Sequence, residues 1–328
     1  MSDDQDPRVP DDGTVAAGDT AQIRLLELAA LCHACRTGFQ LTANRFHWSP
    51  VAGSAADDVA AALPSPDPLL QAPRVETGHR LVTGVLQTYL LTASGLLGNL
   101  SGLYLTGEVL FAPGMIVRGV IECSARVMWV LGGGDDEPEE ILVRAYLEEL
   151  LSAEQAKMAA GRLGGKSTDQ YKARNQAYKD LKAEIIGRFP GTTSADLGAP
   201  LTLCGHHLAA PGEAVSWMYE MLEKHAGSAV TSKMSEGIYD FLSNLTHPTL
   251  YPTRDLWDWG SSPEHPDEQV AVLRTEIDFI ERQATAAVTA YYNALSYVTS
   301  FFGWSMEIHD QLTDAIDQLL PNALHDPA

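Results

Sequence analysis

Residues 81–107 contain no charged side chain, and this stretch constrains the fold more than any other part of the sequence. It is long enough to span a bilayer. Yet Gln87, Asn99 and several Ser, Thr and Gly residues recur along its whole length. This mixture of apolar and polar residues predicts a buried helical hairpin, broken between Gly98 and Gly102, and no membrane span.

The rest of the chain has helical periodicity, and we find no alternating apolar run bounded by hairpin turns. The sequence therefore predicts an all-α fold, a helical bundle with a long C-terminal helix. Residues 190–213 are expected to form a long loop. The predicted helices cover residues 20–47, 76–98, 103–111, 114–131, 138–163, 167–188, 212–226, 231–247, 267–304 and 308–320.

Three segments are predicted along the chain. Residues 1–20 form a disordered acidic tail, residues 21–75 an N-terminal helix with a Pro-rich linker, and residues 76–328 the main helical domain. The N-terminus has no basic stretch followed by an apolar run, so we expect a cytoplasmic protein. In that compartment the four cysteines are expected to be reduced.

The net charge limits the classes of partner. The chain has 43 acidic and 22 basic side chains, which gives a formal charge of −21. Such a charge repels nucleic-acid phosphates and anionic membranes. A function in RNA binding would therefore need a locally basic surface.

A first polar stripe lies in the apolar segment 115–131. Arg118, Glu122 and Arg126 follow one another at four-residue spacing, which places them along one side of a helix. One interpretation is an exposed ladder of ion pairs. The other is an internal polar cluster that faces a cleft, because most of the remaining circumference is apolar and unpaired buried charge is unfavourable.

A second stripe occurs in the segment YDFLSNLTHPT, where Tyr239, Ser243 and His247 have the same spacing. Pro248 disfavours helical geometry at His247 and ends the helix there. At a helix C-terminus the protonated imidazole is stabilised. The three side chains are thus candidates for acid–base chemistry, and the alternative is that they make only structural hydrogen bonds.

The Arg-x-x-x-Glu helix and the Tyr-x-x-Leu-Ser-x-x-x-His helix end together resemble bacterial helical proteins related to the HEPN superfamily. The resemblance covers about residues 80–300. HEPN proteins are helical bundles, often dimeric, and many are metal-independent ribonucleases. The resemblance implies the histidine role for His247, whereas the arginine that HEPN motifs place four to six residues earlier is absent.

Two functions follow as hypotheses. In the first, a HEPN-like protein acts on RNA or a nucleotide, with His247 exchanging a proton and Arg118 or Arg126 neutralising phosphate, or it serves as a catalytically silent partner module. In the second, a small-molecule enzyme or binding protein, for example a secondary-metabolism cyclase, has an apolar helical cavity. There the arginines would hold a small anionic ligand while His247 and Tyr239 form the acid–base pair.

No cofactor or metal is predicted, although two short segments together contain enough soft donors for an alternative interpretation as a zinc site. The aromatic second half of the C-terminal helix is typical of a core or a subunit interface, and we expect a homodimer. The alternative zinc ligands are Cys32, Cys35, Cys204, His206 and His207.

Overall fold

The computed structural model describes residues 12–65, 76–228, 230–247, 249–262, 264–321 and 323–324. In these ranges the chain is an all-α helical bundle with two short β-hairpins, which confirms the predicted fold class. The helices are α1 (Asp12–Phe46), α2 (Ala55–Ala62), α3 (Gly78–Thr106), α4 (Ala112–Leu131), α5 (Pro138–Gly164), α6 (Asp169–Arg188), α7 (Pro211–Ala226), α8 (Ser232–Thr246), α9 (Tyr251–Arg254), α10 (Ile277–Phe302) and α11 (Glu307–Leu319).

The centre of the bundle is formed by α3, α4 and α10, which pack against one another, and α1 covers α3, α10 and α11. Tyr104, Tyr146, Tyr291 and Phe302 are the largest fully buried side chains. Because α1 contributes Leu28, Leu31, Cys32 and Cys35 to the same core, the predicted boundary at residue 76 does not coincide with a gap in the packing.

The N-terminal segment and the aromatic residues of α10 bear on two predictions. Most of the predicted tail lies outside the described residues, but α1 already begins at Asp12. Tyr291, Phe302 and Trp304 are buried inside this single chain, where Trp304 stacks on Phe46. These aromatic rings therefore belong to the core, and the homodimer stays a prediction.

The apolar stretch forms one unbroken helix, so the predicted break between Gly98 and Gly102 is wrong. Gly98 faces α1, and a Cβ atom built there would lie 2.7 Å from Cδ of Arg36. This glycine leaves room for the Arg36 side chain of α1 and does not end the helix. The helix ends instead at Gly107, which adopts the left-handed conformation typical of a C-cap.

The helix α3 is also the described helix that is long and apolar enough to cross a bilayer. One side of it, including Leu86, Leu90, Leu97 and Leu100, is completely buried in the bundle. A core helix of a globular protein has the same length and composition, so this property does not distinguish the two environments.

Two hairpins occur where none was predicted. Strands β1 (Thr202–Leu203) and β2 (His206–His207) pair within the predicted loop. Strands β3 (Trp257–Ser261) and β4 (Gln269–Leu273) form an antiparallel pair, so the predicted helix 267–304 is wrong over its first ten residues. The sequence signal for these strands was their content of aromatic and β-branched residues, namely Trp257, Trp259, Val270 and Val272.

Candidate functional site

Helices α4 and α8 pack together and bring the two polar stripes into contact. Arg118 donates from Nε to Oε1 of Glu122 at 2.8 Å and from Nη2 to the hydroxyl of Tyr239 at 3.1 Å. Its Nη1 donates to the hydroxyl of Thr246. Tyr239 donates to the same Glu122 oxygen at 2.7 Å. We call Arg118, Glu122, Tyr239 and Thr246 the α4–α8 cluster.

The hydrogen-bonding groups of Arg118 are all engaged within the α4–α8 cluster. All three guanidinium nitrogens of Arg118 have acceptors, and Glu122 compensates its charge. Burial, followed by the hydrogen bond to Glu122, raises the pKa of Tyr239, so the phenol stays protonated and acts as a donor. An incoming anion would have to displace Glu122 before it could bind Arg118 in a bidentate manner.

Arg126 belongs to a different group, so the predicted single stripe is divided. Eight residues after Arg118, a helix has turned by about 80°. Arg126 is buried against α5, where Nη1 lies 2.8 Å from Oε1 of Glu148, and Tyr89 donates to the other oxygen of Glu148 at 2.6 Å. Burial raises the pKa of Glu148, whereas Arg126 lowers it.

His247 is exposed at the end of α8, where the predicted helix terminus is confirmed. It has extended backbone geometry, and its amide donates to the carbonyl of Ser243 at 3.1 Å. The imidazole has no hydrogen bond to any described residue. Its neighbour Thr246 contacts Arg118, so the chain brings His247 to the margin of the α4–α8 cluster. Ser243 is half-buried and contributes its carbonyl to the helix end.

The alternative zinc ligands lie in different environments. Cys32 and Cys35 are buried in α1, and burial raises the pKa of Cys32 to about 12. Cys204 is exposed in the turn between β1 and β2. Over the described ranges, no group of three or more His, Cys, Asp or Glu side chains is arranged to hold a metal ion.

A large cavity lies between α7, α8 and α10, next to α11, and has a volume of about 1090 Å³. Its wall is mainly apolar and contains one face of α8, opposite to the face that carries Tyr239. The main apolar residues of the wall are Val117, Leu222, Met234, Ile238, Phe241, Leu242, Phe279, Ala286 and Ala290. In α4, Val117 lines the cavity and the next residue, Arg118, belongs to the α4–α8 cluster. The cavity and the cluster therefore lie on different sides of α4 and α8.

Two polar side chains in this wall have no protein partner. Tyr219 is 4% exposed and Gln283 is 8% exposed, and neither side chain hydrogen-bonds to a described residue. Burial raises the pKa of Tyr219 to about 12. Neither residue was predicted as a site residue from the sequence, because a single Tyr or Gln in an amphipathic helix carries no signal of a cavity. The phenol and the amide are free to hydrogen-bond to a ligand.

Polar residues also occur at the margin of the cavity. Asn293 donates to the carbonyl of Thr289 at 2.8 Å, which leaves its amide oxygen as an acceptor. The hydroxyl groups of Tyr292 and Thr313 are 2.9 Å apart and join α10 to α11. Asp278, Glu281 and Arg282 are the charged residues of the wall, and Glu281 is paired with Arg24. The cavity thus has no excess of positive charge.

Comparisons with known proteins give no relative. No protein family, no curated protein and no solved structure matches this chain. The geometry of the cavity and of the α4–α8 cluster is therefore the basis for inferring a function.

Proposed function

We propose that this protein binds an uncharged, amphipathic small molecule in the cavity between α7, α8 and α10. Of the two sequence-based hypotheses, this is the one with an apolar helical cavity. The observation that carries the proposal is a mainly apolar cavity wall in which the side chains of Tyr219 and Gln283 have no hydrogen-bond partner among the described residues.

The cavity is large enough for such a ligand. Pockets for small molecules usually enclose about 300–1,000 Å³ and combine apolar walls with a few polar groups that orient the ligand. A ligand that supplies a donor or an acceptor to Gln283 and Tyr219 gains hydrogen bonds worth about 0.5–1.5 kcal/mol each while it buries its apolar surface.

The charges of the surroundings favour an uncharged ligand over the small anion that the sequence analysis considered. Arg118 and Arg126 are already compensated by Glu122 and Glu148, respectively. Asp278 and Arg282 stand one helical turn apart at the margin of the cavity and carry opposite charges, so this margin has no net charge. Binding of an anion to Arg118 or Arg126 would require the rupture of an existing ion pair.

The first experiment measures the binding of Nile red, an uncharged fluorescent probe, to the wild type and to the variant Ala286→Trp. The indole of the variant occupies part of the cavity, so we expect at least a tenfold loss of affinity. Ala159→Trp is the matched control, because Ala159 is exposed on α5 far along the chain from the cavity wall. Equal affinity in all three proteins, or no saturable binding, would overturn the proposal.

A HEPN-like function in RNA binding or cleavage is the second candidate. The contact of Arg118 with Thr246, next to His247, favours it, because this contact joins the two stripes on which the resemblance rests. Its test is cleavage of labelled RNA in the presence of chelator. Loss of cleavage in His247→Ala, with retention in the exposed control His33→Ala, would support the second candidate, and the absence of cleavage by the wild type would exclude the nuclease.

A further inference from the structure

Positive charge is concentrated in one part of this acidic protein. Residues 157–188, the end of α5 and the whole of α6, contain eight of the 22 Lys and Arg residues and three acidic residues, which gives +5. Because the whole chain has a charge of −21, the remainder carries −26. We call residues 157–188 the basic arm. Its two helices pack mainly on each other, and α6 buries only Leu181 and Ile185.

Most cations of the basic arm are free to meet a partner. Lys157 and Lys182 contact the ring of Tyr178, and Lys172 lies 3.5 Å from Asp169. The other five are exposed, and none has a carboxylate partner among the described residues. They are Arg162, Lys166, Arg174, Lys179 and Arg188. Surface ion pairs are usually weak, so even Lys172 is available to another carboxylate.

The end of the basic arm also has an apolar centre. Leu163, in the last turn of α5, is 87% exposed. Its neighbours Arg162 and Lys166 are both exposed. An apolar residue surrounded by charges is the arrangement found at protein–protein interfaces, which have an apolar core and a polar rim. A phosphate backbone would not need the leucine, so the arm fits a protein partner with an acidic rim.

The complementary surface is on the same chain. The β3–β4 hairpin, residues 257–273, contains four acidic residues and no Lys or Arg, and one of the four, Asp258, is paired with Arg274 directly after β4 at 3.1 Å. We call it the acidic hairpin. Register pairs Trp257 with Leu273 and Trp259 with Ala271, so these four side chains share one side, which we call the tryptophan face. The rings of Trp257 and Trp259 contact each other edge to face, with their centroids 5.5 Å apart.

The tryptophan face has no cover within the described chain. Every residue of β3 and β4 is exposed, including both tryptophans and Leu273. A lone two-stranded hairpin is marginally stable in water, and large exposed apolar side chains mark interaction sites. Glu264, Asp267 and Glu268 in its turn supply the negative rim.

We propose that the end of the basic arm docks on the tryptophan face of the acidic hairpin of a second copy of this chain. Leu163 then covers the tryptophans, while Arg162 and Lys166 meet the carboxylates of the hairpin turn. The partner is a second copy because the two surfaces are complementary in charge and each has an exposed apolar centre. This inference is independent of the ligand in the cavity.

Sedimentation velocity of the full chain tests the proposal. At about 0.02 M NaCl we expect association of the wild type, and at about 0.5 M NaCl we expect monomers, since the screening length falls to a few ångströms. The arm variant Arg162→Glu/Lys166→Glu and the hairpin variant Asp267→Lys/Glu268→Lys are each expected to be monomeric. Mixing the two variants should restore association, because both contacts then again join opposite charges.

The matched control is Lys224→Glu/Lys233→Glu, which makes the same charge change on exposed lysines of α7 and α8. It should associate like the wild type. A monomeric wild type at low salt, a mixture of variants that stays monomeric, or loss of association in the lysine control would each overturn the proposal. The variant Leu163→Ser gives an independent readout, because it keeps every charge and should still weaken association at least tenfold.

Discussion

Arg126 of α4 and Glu148 of α5 form an ion pair with an N–O distance of 2.8 Å inside the helical core. Both residues are more than nine-tenths buried. The second carboxylate oxygen accepts a hydrogen bond from Tyr89. The two charges therefore depend on each other, because neither has water to replace a lost partner.

Removal of one partner is expected to destabilise the fold strongly. Glu148→Leu leaves the Arg126 guanidinium buried without a counter-charge and should lower the free energy of unfolding by about 3–5 kcal/mol. The double variant Arg126→Met/Glu148→Leu should recover most of this loss. Urea denaturation followed by circular dichroism measures both.

The control is Glu122→Leu in the more exposed pair with Arg118, which should lose about 1 kcal/mol or less. A similar loss in both single variants would contradict the burial of Arg126 and Glu148.

Acid is expected to weaken the contact between α10 and α11. The ring of His309 stacks on Tyr292 at 4.2 Å, and both its nitrogens are buried without a partner among the described residues. Burial lowers the pKa of His309 from 6.5 to about 4, although Asp310 opposes this shift. Between these two values the unfolded chain binds more protons, so the free energy of unfolding should fall as the pH decreases from 6.5 to 4, by about 2 kcal/mol.

Urea denaturation at several pH values measures this dependence. The variant His309→Phe keeps the stacked ring without a titrating group, so its stability should change less over the same range. His33→Phe is the control, because His33 is exposed on α1 and should leave the dependence unchanged. An identical pH dependence of the wild type and His309→Phe would show that another group is responsible.

Gly132 is expected to tolerate no side chain. It has φ 77°, and a Cβ atom there would collide with Oδ2 of Asp136 and Nη2 of Arg144. Gly132→Ala should therefore lower the free energy of unfolding by about 2–4 kcal/mol, which combines backbone strain with the collision. Gly165→Ala isolates the strain, since Gly165 has φ 83° and no atom within 4 Å of a built Cβ. Thermal unfolding that shifts equally in both variants would exclude the collision.

Gln283 is expected to reduce the stability of the ligand-free protein. Gln283→Leu replaces an amide without a protein partner by an apolar side chain in a mainly apolar wall, so the free energy of unfolding should rise by about 1 kcal/mol. The exposed position Gln155 on α5 provides the control Gln155→Leu, which should change stability little. Chemical denaturation measures both. A loss of stability in Gln283→Leu would mean that the amide has a partner in solution.

The sequence predicted the helices well where apolar spacing and end signals agreed. As expected, α4 ends at Leu131, directly before a Gly-rich segment, and α5 begins at Pro138. The predicted helix break at Gly98 was wrong, because this glycine leaves room for a side chain of α1. The sequence does not show which helix lies next to a glycine. The prediction included β4 in a helix, because the strand with which it pairs, β3, lies eight or more residues earlier in the sequence. Helical periodicity compares residues only three or four positions apart, so it does not detect such a pair.

The candidate site was predictable only in part, for a related reason. Spacing placed Arg118, Glu122 and Arg126 along one side of a helix, and the contact with Tyr239 agrees with the expected meeting of two stripes. Spacing does not reveal which helices pack on that side. Arg118 faces α8 and Arg126 faces α5, so the two arginines serve different networks. The cavity was beyond sequence reasoning, because its volume is set by the packing of at least three helices.

The position of α1 has a consequence for synthesis on the ribosome. Arg24 of α1 bonds to Glu281 of α10 and to the carbonyl of Leu319 in α11, so these partners are separated by most of the chain. At about 5–20 residues per second, translation reaches them on the order of ten seconds or more after α1 has emerged. During this delay the apolar residues of α1 that later contact α10 and α11 have no partner to cover them.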